Sequence, residues 1–304
     1  MKFFKIISLI VFNYVLVFTF IFLSKSVSLK VCICTIGKLE NLYVREYISH
    51  YKNYGLDKIF IYDNNDINSE RFETVINDYI KIGFVEVINY RGRDKQQIIA
   101  YQDCINKNYN KYIWLIFYDM DEFIYLNNFT SIKNYLNQQI FKKCQSIQLN
   151  MYYRNDNNLL LYDNRSLFQR FPKQVKRPKE ALKSIIKGNK KIKVNCVHNI
   201  NRNLRSCNGF GEFNKKEKEN ILTKNPDFQF YYIDHFCFKS TEEFVNKVNK
   251  GCGFCGNIDD MKMEKIGWYF DKNEITKEKI FYIEKYTNLN LSIFVNNISS
   301  KILS

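Results

Sequence analysis

Proline and glycine are scarce in this chain of 304 residues, 3 and 11 of them. So little of either leaves no obvious flexible linker, and one folded domain fits better than a string of modules. No internal repeat is visible. There is no G-x-x-x-x-G-K-[ST], and no G-x-G-x-x-G follows the first strand pattern. A sheet that cradles phosphates on a glycine-rich turn is therefore excluded. Histidine is limited to 3 residues. Nine cysteines, an odd number, do not make a small disulfide scaffold in a chain of this size. Acidic residues are outnumbered 31 to 46, for a formal charge of +15. That excess favours anionic partners, but the lysines are scattered rather than gathered on one element, which argues against nucleic acid. With 46% hydrophobic and 16% aromatic residues the chain can bury a full core and is no disordered tail.

The amino terminus differs from the rest. Lys2 and Lys5 precede an uncharged run from Ile6 to Ser24, and Lys25 follows it. Its length is close to the ~20 residues a helix needs to cross a bilayer. The run is longer than a signal-peptide core and has only a weak cleavage site, so it reads as an uncleaved signal-anchor. The expected organisation is a short basic terminus (1–5), a transmembrane span (6–24), a minimal stem (25–29) and a catalytic domain (30–304). The expected location is a membrane, single-pass and type II: Golgi or ER in a eukaryotic host, the inner membrane in a bacterial one.

Beyond the anchor, strand and helix patterns alternate with short connections. Lys30 to Ile36, Lys58 to Tyr62, Phe84 to Ile88 and Tyr112 to Tyr118 read as buried strands. Glu40 to Tyr54, Glu70 to Lys81 and Gln96 to Asn108 read as amphipathic helices, the first two ended by Gly55 and Gly83. Ser146 to Tyr152, Ile192 to His198 and Phe230 to Phe236 are later strand signals, and Ser240 with Glu243 has the form of a capping box. The alternation predicts an α/β fold, a Rossmann-like, mostly parallel sheet wound by helices, with ligands at the strand carboxyl ends. Cys32, Cys34 and Cys104 read as core. Cys252-Gly-Phe-Cys255 lacks a second C-x-x-C nearby and reads as core, loop or local disulfide rather than zinc. Asn128, Asn164, Asn290 and Asn297 open glycosylation sequons.

The strongest functional signal is Trp114-Leu115-Ile116-Phe117-Tyr118-Asp119-Met120-Asp121-Glu122-Phe123, a two-sided apolar strand that runs into Asp-x-Asp. Two aspartates released at a strand's carboxyl end can hold a hard divalent cation and leave positions open for phosphate oxygens. Without a glycine loop, a metal must take the phosphate-anchoring role, and Mn²⁺ or Mg²⁺ on Asp119 and Asp121 would meet it. His235 is the proposed third ligand. The competing reading of His235 is a hydrogen-bonded core residue, and that of the Asp-x-Asp a solvated turn.

Several further stretches complete an ordered series: Thr35 with Lys38-Leu39-Glu40, Glu46-Tyr47-Ile48-Ser49-His50-Tyr51 with Gly55, and Ile61-Tyr62-Asp63-Asn64. Gln97 with Ala100-Tyr101 and Cys104 follow, then Asp119-Met120-Asp121-Glu122-Phe123, Arg170-Phe171, Lys183-Ser184-Ile185-Ile186 and Val197-His198. The last are His235-Phe236, Lys239-Ser240, Glu243-Phe244, Lys247 and Gly251. In this order they resemble glycosyltransferase family 92, once called domain of unknown function 23, and the neighbouring family-2-like transferases. The resemblance implies a GT-A fold and a metal-dependent, inverting transfer of a hexose, taken as galactose-like, from a UDP-sugar donor to a glycan or glycoconjugate acceptor. It places Asp119 and Asp121 on the metal and Asp63 near the uracil or ribose. Thr35, Glu40, Gln97, Tyr101, Glu122, Lys183 and Lys239 are its remaining donor-binding candidates. Two positions depart from the family pattern: Leu39 stands where asparagine is usual, and Tyr47 where tryptophan is.

Inversion also needs a carboxylate base across the sugar from the leaving group. Glu180, Glu212 and Asp234 are the candidates, with no means of choosing among them. A non-catalytic glycan-binding pseudo-transferase and an Asp-x-Asp phosphohydrolase remain as alternatives; the latter's motif normally sits early in the chain.

Overall fold

The computed structural model describes residues 29–175, 182–216, 221–222, 229–250 and 258–291. The expected span 6–24, Glu180, Asn297 and the Cys252-x-x-Cys255 pair lie outside the described residues. Among the described residues no helix is long and apolar enough to cross a membrane.

Among the described residues there are twelve strands: β1 Val31–Gly37, β2 Lys58–Asp63, β3 Val85–Asn89, β4 Trp114–Ile116, β5 Glu122–Leu126, β6 Ser146–Arg154, β7 Gln174–Val175, β8 Leu182–Lys187, β9 Ser206–Cys207, β10 Lys215–Lys216, β11 Ile221–Leu222 and β12 Tyr231–His235. Ten form one sheet in the order β3-β2-β1-β4-β8-β6-β12-β5, with β7 and β9 added to β6. β1 lies parallel between β2 and β4, and β2 parallel to β3. β8 then enters antiparallel between β4 and β6, and β5 closes the order antiparallel to β12. The expectation of a mostly parallel sheet therefore holds for the first half only. The fold is mixed α/β.

The apolar runs of β1 and β2 are explained by burial on both faces. Val31, Ile33, Ile59 and Ile61 enter one core layer, while Cys32, Cys34, Phe60 and Tyr62 enter the other. The Val44–Asn53 helix packs Val44, Tyr47, Ile48 and Tyr51 on the first layer, and the Gln97–Asn108 helix packs Ala100, Tyr101, Cys104 and Ile105 on the second. Gly55 and Gly83 follow their helices at φ 75° and 74°, in the left-handed region that favours glycine. Ser240 and Glu243 form the expected capping box of the Thr241–Asn249 helix.

Three local expectations are corrected. Cys34 and Cys104 are joined in a disulfide rather than merely packed, and a second bridge links Cys144 to Cys207. Ile192 to His198 is irregular, not a strand. The fourth strand ends at Ile116; the Phe117 N–H still bonds the Ser184 carbonyl of β8 before the chain turns toward Asp119.

Candidate functional site: a carboxylate cleft at the strand carboxyl ends

β1, β4, β6 and β12 point the same way, so Gly37, Asp119 and His235 meet on one rim. β5 starts there too, with Glu122 directly opposite His235. A cleft of about 230 Å³ opens at this rim, and Gln97, Asp119, Asp121, Glu40, Lys247 and Lys250 are among its lining residues. Met120 packs closely against Gly37, and a Cβ at residue 37 would lie 2.8 Å from the Met120 Cε.

The two aspartates are held differently. Asp119 accepts on Oδ1 from Gln97 Nε2 (2.8 Å) and the Tyr101 hydroxyl (3.0 Å), and on Oδ2 from Lys183 Nζ (2.7 Å). Asp121 Oδ2 accepts from Lys247 Nζ at 2.7 Å, and its Oδ1 lies 3.4 Å from His235 Nε2. Burial pushes both carboxyls upward, but Lys183 outweighs it at Asp119, and Lys247 with His235 outweighs it at Asp121. Both end below the usual aspartate range and are ionised at neutral pH.

Beneath them, Glu122 is fully buried. It accepts the Asp119 N–H at 2.9 Å and stands 3.2 Å from Lys183 Nζ. Burial raises its carboxyl above the ordinary glutamate value. The Lys183 ammonium is also inaccessible; burial opposes its charge, yet Asp119 and Glu122 together keep it protonated. Lys183 and Glu122 thus support the Asp-x-Asp turn from below rather than reach into the cleft.

The residues fit a divalent ion at Asp121 and His235. Burial lowers the His235 pKa, which keeps the imidazole neutral as a ligand must be. Two donors about 2.1 Å from an octahedral ion lie roughly 3 Å apart, close to the spacing seen. Among the described residues, Asp121, Glu122 and His235 bring their ligand atoms within 4.8 Å of one another. Glu122 is already engaged by the Asp119 N–H and Lys183. Asp119 is engaged by Gln97, Tyr101 and Lys183, and Asp121 by Lys247.

The other candidates fall into three sets. Glu40 lines the cleft, with Oε1 at 2.7 Å from Lys250 Nζ and Oε2 at 3.6 Å from Lys239 Nζ. Lys239 lines the adjoining cavity of about 650 Å³ and lies over the Tyr43 ring. Thr35 and Asp63 are buried and line neither space. The Asp63 carboxylate is consumed by Arg91 at 2.6 Å and by Asn65, while the neighbouring Asn64 reaches the cleft.

Neither described base candidate lines the cleft. Asp234 alternates with His235 along β12 and is tied to Arg154 (2.7 Å) and Gln174 (3.0 Å). Glu212 is exposed, next to the Cys207–Phe213 bridge, where β9 pairs with the start of β6. Lys250 was not anticipated; its signal is the i,i+3 spacing from Lys247 at the end of one helix.

This rim belongs to a recognisable group. The description of glycosyltransferase family 92 matches residues 27–264. The chain belongs to glycosyltransferase family 92. It is 30% identical over 106 residues to galactan β-1,4-galactosyltransferase GALS2 of Arabidopsis thaliana, covering 32% of this chain and 20% of that protein. It is 27% identical over 97 residues to a glycosyltransferase family 92 protein of Ricinus communis, covering 32% of this chain and 17% of that one. The matches thus span about a fifth of these relatives' own length. The crystal structure of S. aureus TarS 1-349 in complex with UDP superposes at a TM-score of 0.35 and 10% identity, covering 86% of this chain and 71% of that one. A likeness that slight carries no functional weight.

Proposed function

We propose that this family 92 chain is a metal-dependent, inverting glycosyltransferase of GT-A type that moves a hexose from a UDP-sugar to a hydroxyl of a glycan or glycoconjugate. We further propose that residues 6–24 hold it in a membrane as a single-pass type II protein. The observation that carries the reading is Asp121 paired with a neutral His235 on the carboxyl rim of a sheet without a glycine-rich phosphate loop. Held by these two residues, Mn²⁺ or Mg²⁺ would bind the donor's phosphates and neutralise charge on the departing diphosphate.

The remaining work falls to the chain. Gln97, Tyr101 and Lys183 keep Asp119 ionised and fixed, so the turn presenting Asp121 does not reorganise during reaction. Lys247 is 39% exposed on its side chain, and its flexible stem lets it turn from Asp121 toward a phosphate oxygen. Glu40 is suited to accept sugar or ribose hydroxyls between the two cavities. The acceptor proton needs a carboxylate base, for which Glu180, Glu212 and Asp234 stay the candidates. A galactose donor draws support from the activity in the Arabidopsis relative's name. The two disulfides support an oxidising compartment, as expected of a lumenal domain.

Purified full-length protein assayed with a UDP-sugar panel and Mn²⁺ is the test. Turnover or thermal stabilisation by one UDP-sugar, lost on chelation and in Asp121→Ala, is the expected result. If no UDP-sugar binds or reacts, and Asp119→Ala and Asp121→Ala spare whatever activity is found, the reading fails. Binding without turnover would instead identify a pseudo-transferase.

A further inference from the structure

We infer that the amino edge of the sheet is a membrane-docking face, which turns the Asp119–Asp121 cleft away from the bilayer. The inference rests on the proposed anchor at residues 6–24. Five residues, 25–29, separate that run from Lys30. At roughly 3.3–3.6 Å per residue they reach at most about 18 Å. Lys30 sits at the amino edge, where its carbonyl accepts the Ile113 N–H next to the start of β4. A tether this short keeps that edge at the headgroups.

The surface found there suits anionic lipid. Lys30, Lys111, Lys143, Lys190 and Arg205 are all exposed on it. Their placement follows from the sheet: Lys190 lies just beyond the end of antiparallel β8, and Arg205 Nε donates to the Lys143 carbonyl beside the start of β6. Among the described residues the acids nearby are Asp57, bound to Lys133 at 2.6 Å, Glu86, 3.7 Å from Lys58, and Glu212. Among the cations stand large apolar side chains open to solvent: Ile140 (46%), Phe210 (42%), Phe213 (46%) and Phe230 (38%). Phe210 and Phe230 lie 6.0 Å apart, and the Arg205 guanidinium lies 5.2 Å from the Phe213 ring centre, so the apolar and basic residues form one surface. Basic side chains mixed with aromatic and aliphatic ones are what an interfacial membrane contact requires.

The opposite end carries the chemistry. Ser146 pairs with β9 at one end of β6, and Tyr153 pairs with His235 at the other. Seven residues at about 3.3 Å put the cleft roughly 23 Å from the docking face. The acceptor hydroxyl must therefore come from a glycan that stands off the membrane or from a soluble glycoconjugate, not from a sugar seated on a lipid headgroup.

The test uses full-length protein in phosphatidylcholine–phosphatidylserine nanodiscs whose lipids carry a headgroup-proximal spin label. Phe213→Trp and Phe230→Trp place reporters on the face, and Leu42→Trp places one at the carboxyl rim. The expected result is loss of emission from both face reporters, none from the rim reporter, and recovery of the Phe213→Trp signal when Lys143→Glu and Arg205→Glu are added. Unquenched face reporters, or equal quenching at Leu42→Trp, would overturn the docking face while the anchor stands. Release of the full-length chain from membranes by an alkaline wash would remove the anchor, and the docking face with it.

Discussion

The β3-β2-β1-β4 half of the sheet and the β8-β6-β12-β5 half bring opposite chemistry to the cleft. From the parallel half come Glu40 after β1, Gln97 and Tyr101 from the helix after β3, and Asp119 after β4. The mixed half contributes Lys183 on β8, His235 on β12, and Lys247 and Lys250 after it. Each acid is matched across the seam: Asp119 with Lys183, Asp121 with Lys247, Glu40 with Lys250. Neither half alone could keep so many like charges together in a partly buried space, so the site exists only where β4 and β8 are paired.

The sharpest way to break this arrangement is Asp121→Ala. It removes the residue that faces His235 and Lys247, and steady-state transfer should fall roughly 10²–10³-fold. Lys247 is free to turn to solvent, so the melting temperature should change little. Lys183→Met attacks the seam from below and has the opposite profile. It leaves the Asp119 carboxylate without its buried cation and removes the Lys183 contact of Glu122, and breaking a buried pair of this kind costs about 3 kcal/mol. Calorimetry should show a Tm lower by roughly 6–12 °C. A Lys183→Met protein as stable as the parent would refute the seam as a source of stability.

Gly37→Ala should act more weakly. Its Cβ would press on the buried Met120 end, at 2.8 Å and 2.9 Å from Cε and Sδ, which must shift. A loss of about 1 kcal/mol is expected, together with a higher KM for the donor, because Met120 lies between the two aspartates. Pairing it with Met120→Leu and measuring the coupling would show whether that contact is the cause.

The smallest effect is a pH dependence at Glu243. Burial raises its carboxyl, but Arg170, Ser240 and Tyr43 together bring it below the ordinary glutamate value. A depressed acid stabilises the fold fully above its unfolded pKa of about 4.3, and that contribution fades as pH falls through the lower folded value. Tm measured across this window should drop more steeply for the parent protein than for Glu243→Gln.

Much of the parallel half was legible in the sequence, because each element announces itself within a few residues. The two-faced apolar runs of β1 and β2 and the Gly55 and Gly83 stops recur where expected. The mixed half was harder to read. β8 follows β6 in the chain yet lies between β4 and β6, and nothing local to Leu182–Lys187 specifies those neighbours. Lys183 therefore read as a donor-binding candidate, whereas the sheet seals it under Asp119. Cys34 and Cys104 read as packing for the same reason, since 70 residues separate two thiols that share one core layer.

Hydrophobic period, turn chemistry and the Asp-x-Asp spacing belong to short stretches of chain, so they set the element types and marked the acidic end of β4 without reference to anything distant. The ionisation and accessibility of those acids depend on neighbours far along the chain. Only packing could decide that Asp119 would be held by Gln97, Tyr101 and Lys183, that Asp121 would face His235, and that Asp234, one residue away, would turn to Arg154 instead. In a buried site a charge is stabilised by the groups that replace water around it, and strand order selects those groups.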